Sequence, residues 1–379
     1  MSDDTHFFAL LTGSNSGLGL SIAHRILDEF LSTHPPTHHL TLILTTRSAS
    51  KGAATLTTLT KHLVHNLPPT ATSRITLTHY QVDLTNLLSI TALAAALSRS
   101  YTKLDYVFLN AGMGAFTGID WLNAVTSILT KWVHAVTYPA FKLQATGWTT
   151  KQPLPLEGEL GSVFCANVFG HYYLTAELMP LLGRGRGRII WTSSLEAYPW
   201  TFSTADIQAL KATHSYESTR RLTDVLALTS GLPATAPYAD KFFGAGKGEK
   251  GWTRPKTYLT HPGVCATAIV PLNVVLWWCM VAAFYVARWL GSPWHTISSY
   301  SGARAAVWLA LAGEEELAEK KAEKVKWGSS VVTGGVESVK ATEVEGEGGV
   351  EWEELGRECW RLMEELREEW KGKLKQVGR

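Results

Sequence analysis

Apolar residues first cluster in a short β-type run, Phe7 to Leu11. Beyond a glycine-rich turn they recur at Leu20, Ile22, Ala23, Ile26, Leu27 and Phe30, the spacing of one helix face. The alternation continues. Leu40 to Thr46, Ile75 to Val82 and Asp105 to Leu109 read as strands with helical stretches between them. Gly161 to Leu182 has helical periodicity, Arg188 to Ser193 reads as a strand, Tyr216 to Thr229 as a helix, and Lys256 to Thr260 as a strand ending at His261-Pro-Gly263. Strands alternating with helices predict an α/β fold, a Rossmann-like doubly wound parallel sheet with helices on both faces. Two stretches, about 116–160 and 231–256, exceed a normal crossover and are expected as insertions; the first is rich in Trp, Thr and Pro.

The longest apolar stretch, Val274 to Ala287, extends with its flanks over about 272–290 and carries Trp277, Trp278, Phe284, Tyr285 and Trp289. It falls short of the roughly 20 apolar residues that span a bilayer. Two readings stay open, a buried helix of a substrate pocket and a helix lying in the membrane surface. After Gly313 the composition changes: the last 66 residues carry 17 of the 33 acidic residues and about a dozen basic ones. Residues 1–312 are therefore expected as the catalytic domain and 313–379 as a charged C-terminal extension. Within it Trp352, Leu355, Cys359, Leu362, Leu366 and Trp370 predict an amphipathic helix over 351–373, docked on its own domain or binding a partner.

The chain has 379 residues, 45% hydrophobic and 18% charged, with a formal net charge of +2. That composition excludes disorder throughout and allows a large core. It also gives no sustained electropositive surface, so no nucleic-acid partner is expected, and the Gly/Arg run from Gly183 to Arg188 reads as a solvated turn. Cys165, Cys265, Cys279 and Cys359 are far apart, without a CxxC pair, and the 13 histidines show no ligand spacing beyond local pairs such as His38-His39. Neither a disulfide framework nor a metal site is expected, and a reducing compartment is. The acidic opening Met-Ser-Asp-Asp and the brief run after it do not have the form of a secretory signal.

Gly13, Gly17 and Gly19, with Asn15 and Leu18 between them, form a GxxxGxG turn between the first strand and helix. That is where a dinucleotide phosphate needs close backbone approach and the positive end of a helix dipole. The second strand ends Thr45-Thr46-Arg47-Ser48, with no carboxylate for a ribose diol and with Arg47 suited to a 2′-phosphate, so NADPH is the expected cofactor. Val82-Asp83-Leu84 follows the third strand and Leu109-Asn110-Ala111-Gly112 the fourth. With the glycine turn, these segments resemble the short-chain dehydrogenase/reductase superfamily.

The resemblance implies that Asp83 touches the adenine ring and that Asn110, Ala111 and Gly112 steady the sheet edge beside the cofactor. It places Val264 and Thr267, in a PGxxxT segment, over the nicotinamide, and Asn167 at the helix position that holds a water of the proton relay. Ser193-Ser194 closes a strand and Tyr216-Glu-Ser-Thr-Arg220 opens a helix, matching the catalytic serine and the YxxxK motif. Of the two serines Ser194 is preferred. Ketone reduction needs a proton donor, Tyr216, and a second group to fix the carbonyl, Ser194. A free tyrosine has a pKa of about 10, so a fixed cation is required beside it. Here that cation is Arg220 where the motif has lysine, which preserves the charge and the reach to a ribose hydroxyl but makes a relay through the side chain doubtful. His214 reads as a surface or capping residue.

Longer blocks, Trp191-Thr-Ser-Ser-Leu-Glu-Ala197, Asp206-Ile-Gln208, Arg221 to Ser230 and Ala287 to His295, are similar to the fungal 3-keto-steroid reductases of ergosterol biosynthesis. So are tail segments around Thr342-Glu-Val-Glu-Gly346 and Glu354 to Trp360. What this implies is NADPH-dependent reduction of the C3 ketone of a C4-demethylated sterol to the 3β-alcohol. It also implies a position on the cytosolic face of the endoplasmic reticulum and lipid droplets, at the membrane surface, beside the C4 methyl oxidase and the C3 decarboxylase. Two rivals stay open: a cofactor-binding scaffold weakened by the loss of its lysine, and a reductase of another hydrophobic ketone.

Overall fold

The structure, a computed structural model, describes residues 5–139, 141–244, 247–266 and 274–377. Strands β1 (His6–Thr12), β2 (His39–Thr46), β3 (Ile75–Gln81) and β4 (Tyr106–Leu109) come first. The first insertion folds into two antiparallel ribbons, β5 (Phe116–Ile119) with β6 (Lys142–Gln144) and β7 (Thr149–Lys151) with β8 (Glu159–Gly161), and the helix Trp121–Thr137. β9 (Arg188–Thr192), β10 (Lys256–His261), β11 (Lys326–Val331) and β12 (Glu337–Thr342) complete the set.

Eight strands make one sheet in the order β12-β11-β10-β9-β4-β1-β2-β3, parallel except for β12, which runs antiparallel to β11. β1 is central, with Leu10 in register with Ile43 of β2 and Val107 of β4. Such strands are buried on both faces, hence the unbroken apolar runs in the sequence. One face is covered by the helices Gly17–Thr33, Ala49–His65 and Arg304–Leu311, which bury Ile26, Phe30, Leu59 and Val307. The other is covered by Leu87–Ser100, Gly170–Glu177 and Ser215–Thr229, burying Leu97, Leu174, Leu222 and Val225. Strand order reverses between β1 and β4, so the loops leaving their C-terminal ends diverge and open a crevice there.

The sheet runs past the boundary expected at residue 312, because β11 and β12 join it from the charged segment. β11 reads Lys-Trp-Gly-Ser-Ser-Val, and all six residues are buried. It lacks an apolar run because its polar side chains bond inside the protein: Ser329 Oγ donates to the Gly302 carbonyl at 2.7 Å, and Lys326 pairs with Asp224 at 2.6 Å. The expected amphipathic helix spans Gly349–Val377 and packs on the helix Ser215–Thr229. Its buried face is Trp352, Cys359, Trp360, Met363 and Trp370, with Glu364 and Arg367 paired at 2.7 Å and Tyr172 Oη donating to Glu364 at 2.5 Å. The second insertion helps to seat it, since the Phe242 ring packs tilted 4.4 Å from Tyr172 and edge-on 5.4 Å from Trp360.

Arg188, expected in a solvated turn, is buried instead. Its guanidinium donates to the carbonyls of Leu309, Ala310 and Ala312, which end a helix, and pairs with Glu314 at 2.6 Å. The described part of the 272–290 stretch is the helix Val274–Trp289, with Val281, Phe284 and Ala287 buried and Val274, Val275, Trp278 and Trp289 exposed. It thus faces both the protein and solvent. No helix among the described residues is long and apolar enough to cross a membrane.

Candidate active site

β1 ends at Thr12, and the chain turns through Gly13 (φ +69°) and Gly17 (φ +53°) into the first helix. Only glycine takes these angles without strain. A Cβ on Gly13 would meet Ala111 Cα at 2.9 Å, and one on Gly19 would meet the Gly13 carbonyl oxygen at 2.1 Å, so the turn is closed to side chains. The Asn-Ala-Gly segment after β4 is tied to it. Asn110 Nδ2 donates to the Thr12 carbonyl at 3.0 Å, and the backbone N–H groups of Asn110 and Ala111 donate to Thr12 Oγ1 at 2.9 and 3.0 Å.

His171 completes this joint. Its Nδ1 donates to the Asn167 carbonyl at 3.2 Å, which leaves Nε2 to accept from Thr12 Oγ1 at 2.9 Å. Burial lowers its pKa to about 4 and the charge of Arg220 acts in the same direction, so the ring is neutral. Asn167 lies in a single π-turn, Cys165–Phe169, a distortion that often marks functional positions. Its Oδ1 accepts from Met113 N at 2.8 Å, and its Nδ2 donates to the Met113 carbonyl and Thr219 Oγ1, both at 3.0 Å.

A cavity of about 1010 Å³ opens at the crevice, lined at one end by Asn15, Gly17, Leu18 and Gly19. Asp83 also lines it, with Oδ1 accepting from the backbone and hydroxyl of Thr85 at 2.9 and 2.7 Å. At the end of β2 the exposed Arg47 is joined by Lys51, one turn into the next helix. Val264 lines the far side, its N–H donating to the Trp294 carbonyl at 2.7 Å; Thr267 lies outside the described residues. A glycine cradle without room for a Cβ, at a helix N-terminus and with two cations beyond it, fits a phosphorylated dinucleotide.

Beyond the cradle stand the residues of the expected chemistry. Ser193 and Ser194 both border the cavity, and their hydroxyls tell them apart: that of Ser193 is buried and donates to Asp224, whereas the Ser194 Oγ accepts from Glu196 N at 3.1 Å. Ser194 therefore keeps its hydroxyl hydrogen for a ligand. Its carbonyl accepts from Lys326 Nζ at 2.6 Å, and that ammonium also holds Asp224. Tyr216 is nearly buried and borders the same cavity. Arg220 Cζ lies 4.9 Å from its ring centroid, Nη1 donates to the Thr192 carbonyl at 2.8 Å, and the buried Nε has no hydrogen-bond partner. A Cβ on Gly112 would sit 2.5 Å from Arg220 Nη2, so the glycine admits the larger guanidinium.

The first insertion closes the other side. Phe116 lies 5.5 Å from the Tyr216 ring, Gln144 Oε1 accepts from Tyr216 N at 2.8 Å, and Lys142 pairs with Glu196 at 2.6 Å. From there the cavity runs between apolar side chains of two helices, among them Trp132, Val136, Met280 and Phe284. Lys51, Lys142, Gln144, Glu196 and Lys326 were not candidates from sequence. Lys51 carried a signal in its position four residues after Arg47, and Glu196 one in standing two residues after Ser194; Lys142, Gln144 and Lys326 are brought in by tertiary packing of insertion and tail.

The chain is 43% identical to a 3-keto-steroid reductase of Aspergillus fumigatus in an alignment 421 positions long, covering 96% of this chain and 94% of that one. It is 35% identical to the 3-keto-steroid reductase of Schizosaccharomyces pombe over 97% and 98% of the two chains, and 33% identical to that of Saccharomyces cerevisiae over 89% of each. Among solved structures, a short-chain type dehydrogenase/reductase from Mycobacterium ulcerans superposes with a TM-score of 0.46 and 16% identity over 80% of this chain and 82% of that one. No family model matches. Identity at this level along nearly the whole length shows descent, and the chain belongs to the family of fungal 3-keto-steroid reductases.

Proposed function

We propose that the protein reduces the C3 ketone of a C4-demethylated sterol to the 3β-alcohol with NADPH, in ergosterol biosynthesis. The observation that carries this is the continuous cavity, which joins the glycine cradle to Ser194, Tyr216 and Arg220 and then passes between two apolar helices. A rigid four-ring substrate with one polar end asks for that division between a polar inner end and an apolar outer wall.

A nicotinamide cofactor held by the turn of Gly13, Gly17 and Gly19 would, when bound, supply the hydride for the carbonyl carbon. The Ser194 hydroxyl donates to the carbonyl oxygen and orients it. Tyr216 gives that oxygen the proton it needs as negative charge develops. Arg220 holds positive charge beside the phenol and borders the cavity, where its guanidinium would reach a ribose hydroxyl. Arg47 and Lys51 would receive the 2′-phosphate, and Asp83 the adenine.

The exposed apolar side chains of the two cavity-wall helices support placement at a membrane surface. Trp121, Leu122, Val125 and Leu129 project from one helix and Val274, Val275, Trp278 and Trp289 from the other. We place the chain at the endoplasmic reticulum and lipid droplets, where a sterol would pass from lipid into the cavity and where the C4 methyl oxidase and C3 decarboxylase would be its neighbours.

The test is NADPH oxidation by the purified chain with a 4-demethylated 3-keto sterol. Tyr216→Phe is expected to lower kcat by about 10²–10⁴-fold, and Ser194→Ala by about 10²–10³-fold. A protein that binds NADPH but turns over only as Arg220→Lys would instead be a scaffold. Turnover restricted to unrelated apolar ketones would replace the sterol assignment.

A further inference from the structure

The helix that carries Tyr216, Ser215–Thr229, does not cap itself. A helix leaves its first backbone N–H groups without partners, and the side chain at the N-cap ordinarily accepts from the second or third of them. Here the N-cap is His214, whose carbonyl accepts from Ser218 N at 3.0 Å but whose side chain makes no capping bond. The acceptor comes from a distant part of the chain. Gln144 Oε1 accepts from the N–H of Tyr216, the second residue of the helix, at 2.8 Å and from the Ser215 hydroxyl at 3.2 Å. Its Nε2 donates to the carboxylate of Glu217, which is buried. One side chain thus holds Ser215, Tyr216 and Glu217 in succession.

Gln144 ends β6 and is in register with Phe116 of β5, whose ring lies 5.5 Å from that of Tyr216. Between the two strands the chain runs through the helix Trp121–Thr137, and the Asp120 N–H donates to the Phe141 carbonyl at 2.8 Å where that helix leaves the ribbon. Trp132 and Val136 of the helix line the apolar part of the cavity. The ribbon therefore carries the cavity wall at one end and reaches Tyr216 at the other, its ring through Phe116 and its backbone through Gln144. Resting on the reading that Tyr216 is the proton donor, we propose that Gln144 is a positioning residue. Through it the insertion fixes the start of the Tyr216 helix, and with it the place of the phenol hydroxyl relative to a carbonyl held by Ser194. A reacting group displaced by about 1 Å loses on the order of 10²-fold in rate. A cap that only stabilised the fold would leave turnover per folded molecule unchanged.

That difference sets the test. The full chain is assayed with NADPH and a 3-keto sterol in detergent micelles, and kcat is referred to the concentration of NADPH-binding sites found by fluorescence titration. Gln144→Met keeps the length of the side chain and removes both its acceptor and its donor. It is expected to lower kcat about 10–100-fold with little change in the KM for sterol or in NADPH affinity. The solvent deuterium isotope effect on kcat is expected to rise, because the step that moves the Tyr216 proton has slowed relative to the others. Gln144→Glu sets a second carboxylate against Glu217 and is expected to be slow as well. Combining it with Glu217→Gln exchanges amide and carboxylate, keeps an acceptor for the Tyr216 N–H and restores the bond between the two side chains, so kcat should recover most of the loss. Gln144→Met with wild-type kcat per site and an unchanged isotope effect overturns the proposal, as does an exchanged pair no faster than Gln144→Glu alone. If Gln144→Met does not fold, the exchanged pair decides. Tyr216→Phe is measured alongside: activity retained there removes the underlying reading, whereas an inactive Tyr216→Phe beside a fully active Gln144→Met removes only the role of Gln144.

Discussion

Arg47 stands at the end of β2 with its side chain in the open, and Lys51 borders the same part of the cavity. A charge-assisted hydrogen bond contributes about 1.5–3 kcal/mol. Arg47→Ala is therefore expected to lower kcat/KM for NADPH by about 10–100-fold, with little change for NADH, in a comparison of initial rates with the two cofactors. The expectation of this preference rests on residue type alone, an Arg where a carboxylate could stand, and the glycines of the turn were legible in the same way. The choice between Ser193 and Ser194 was not decided by the residues themselves, because what separates them is Asp224, 31 positions from Ser193. Asp224 and Lys326 are both almost fully buried and held 2.6 Å apart. Breaking such a pair from one side costs about 3–5 kcal/mol because the other charge remains buried. Lys326→Met is expected to show that loss in denaturant unfolding, and to reduce activity further because the Ser194 carbonyl loses its donor.

Among the elements, the alternation of strand and helix up to β10 follows from periodicity, since the parallel strands carry the apolar runs that two-sided burial demands. β11 escaped because four of its six buried positions are Lys, Gly, Ser and Ser, their polar groups satisfied by partners that no local pattern reveals. The C-terminal helix shows the same limit in another form: its spacing predicted an amphipathic helix, while the buried Glu364 and Arg367 stand outside that apolar spacing. Gly356 is where the helix backbone packs against Thr229. A Cβ there would lie 2.7–2.8 Å from the side chain of Thr229, whose hydroxyl is already fixed by Val225 and Trp360. Alanine would add about 0.8–1 kcal/mol of helix propensity, against about 1–3 kcal/mol for overpacking. The steric term wins, so Gly356→Ala is expected to lower the denaturant midpoint.

At the scale of the whole molecule, among the described residues two helices on one side of the cavity expose Trp121, Leu122, Leu129, Val274 and Trp278. If that side rests on lipid, Leu129→Glu with Trp278→Glu should abolish flotation with phosphatidylcholine vesicles and leave turnover of detergent-solubilised sterol largely intact. Acid acts on the body instead. His171 is neutral in the fold, with a pKa of about 4, whereas its ordinary value is 6.5. Between these values the unfolded chain binds a proton that the fold refuses, so stability falls as pH drops from 6.5 toward 4. The loss approaches about 3 kcal/mol from this residue and should appear as a declining Tm over that interval. The Asp224–Lys326 bond has a consequence for biosynthesis. The two residues are 102 positions apart, and at roughly 5–20 residues per second the ribosome takes about 5–20 s to pass from one to the other. Throughout that interval the nascent chain already holds its glycine turn, both serines and Tyr216 but not the lysine that anchors Ser194. A message cut short before codon 326 would accordingly yield a chain with every motif of a reductase and no assembled catalytic centre.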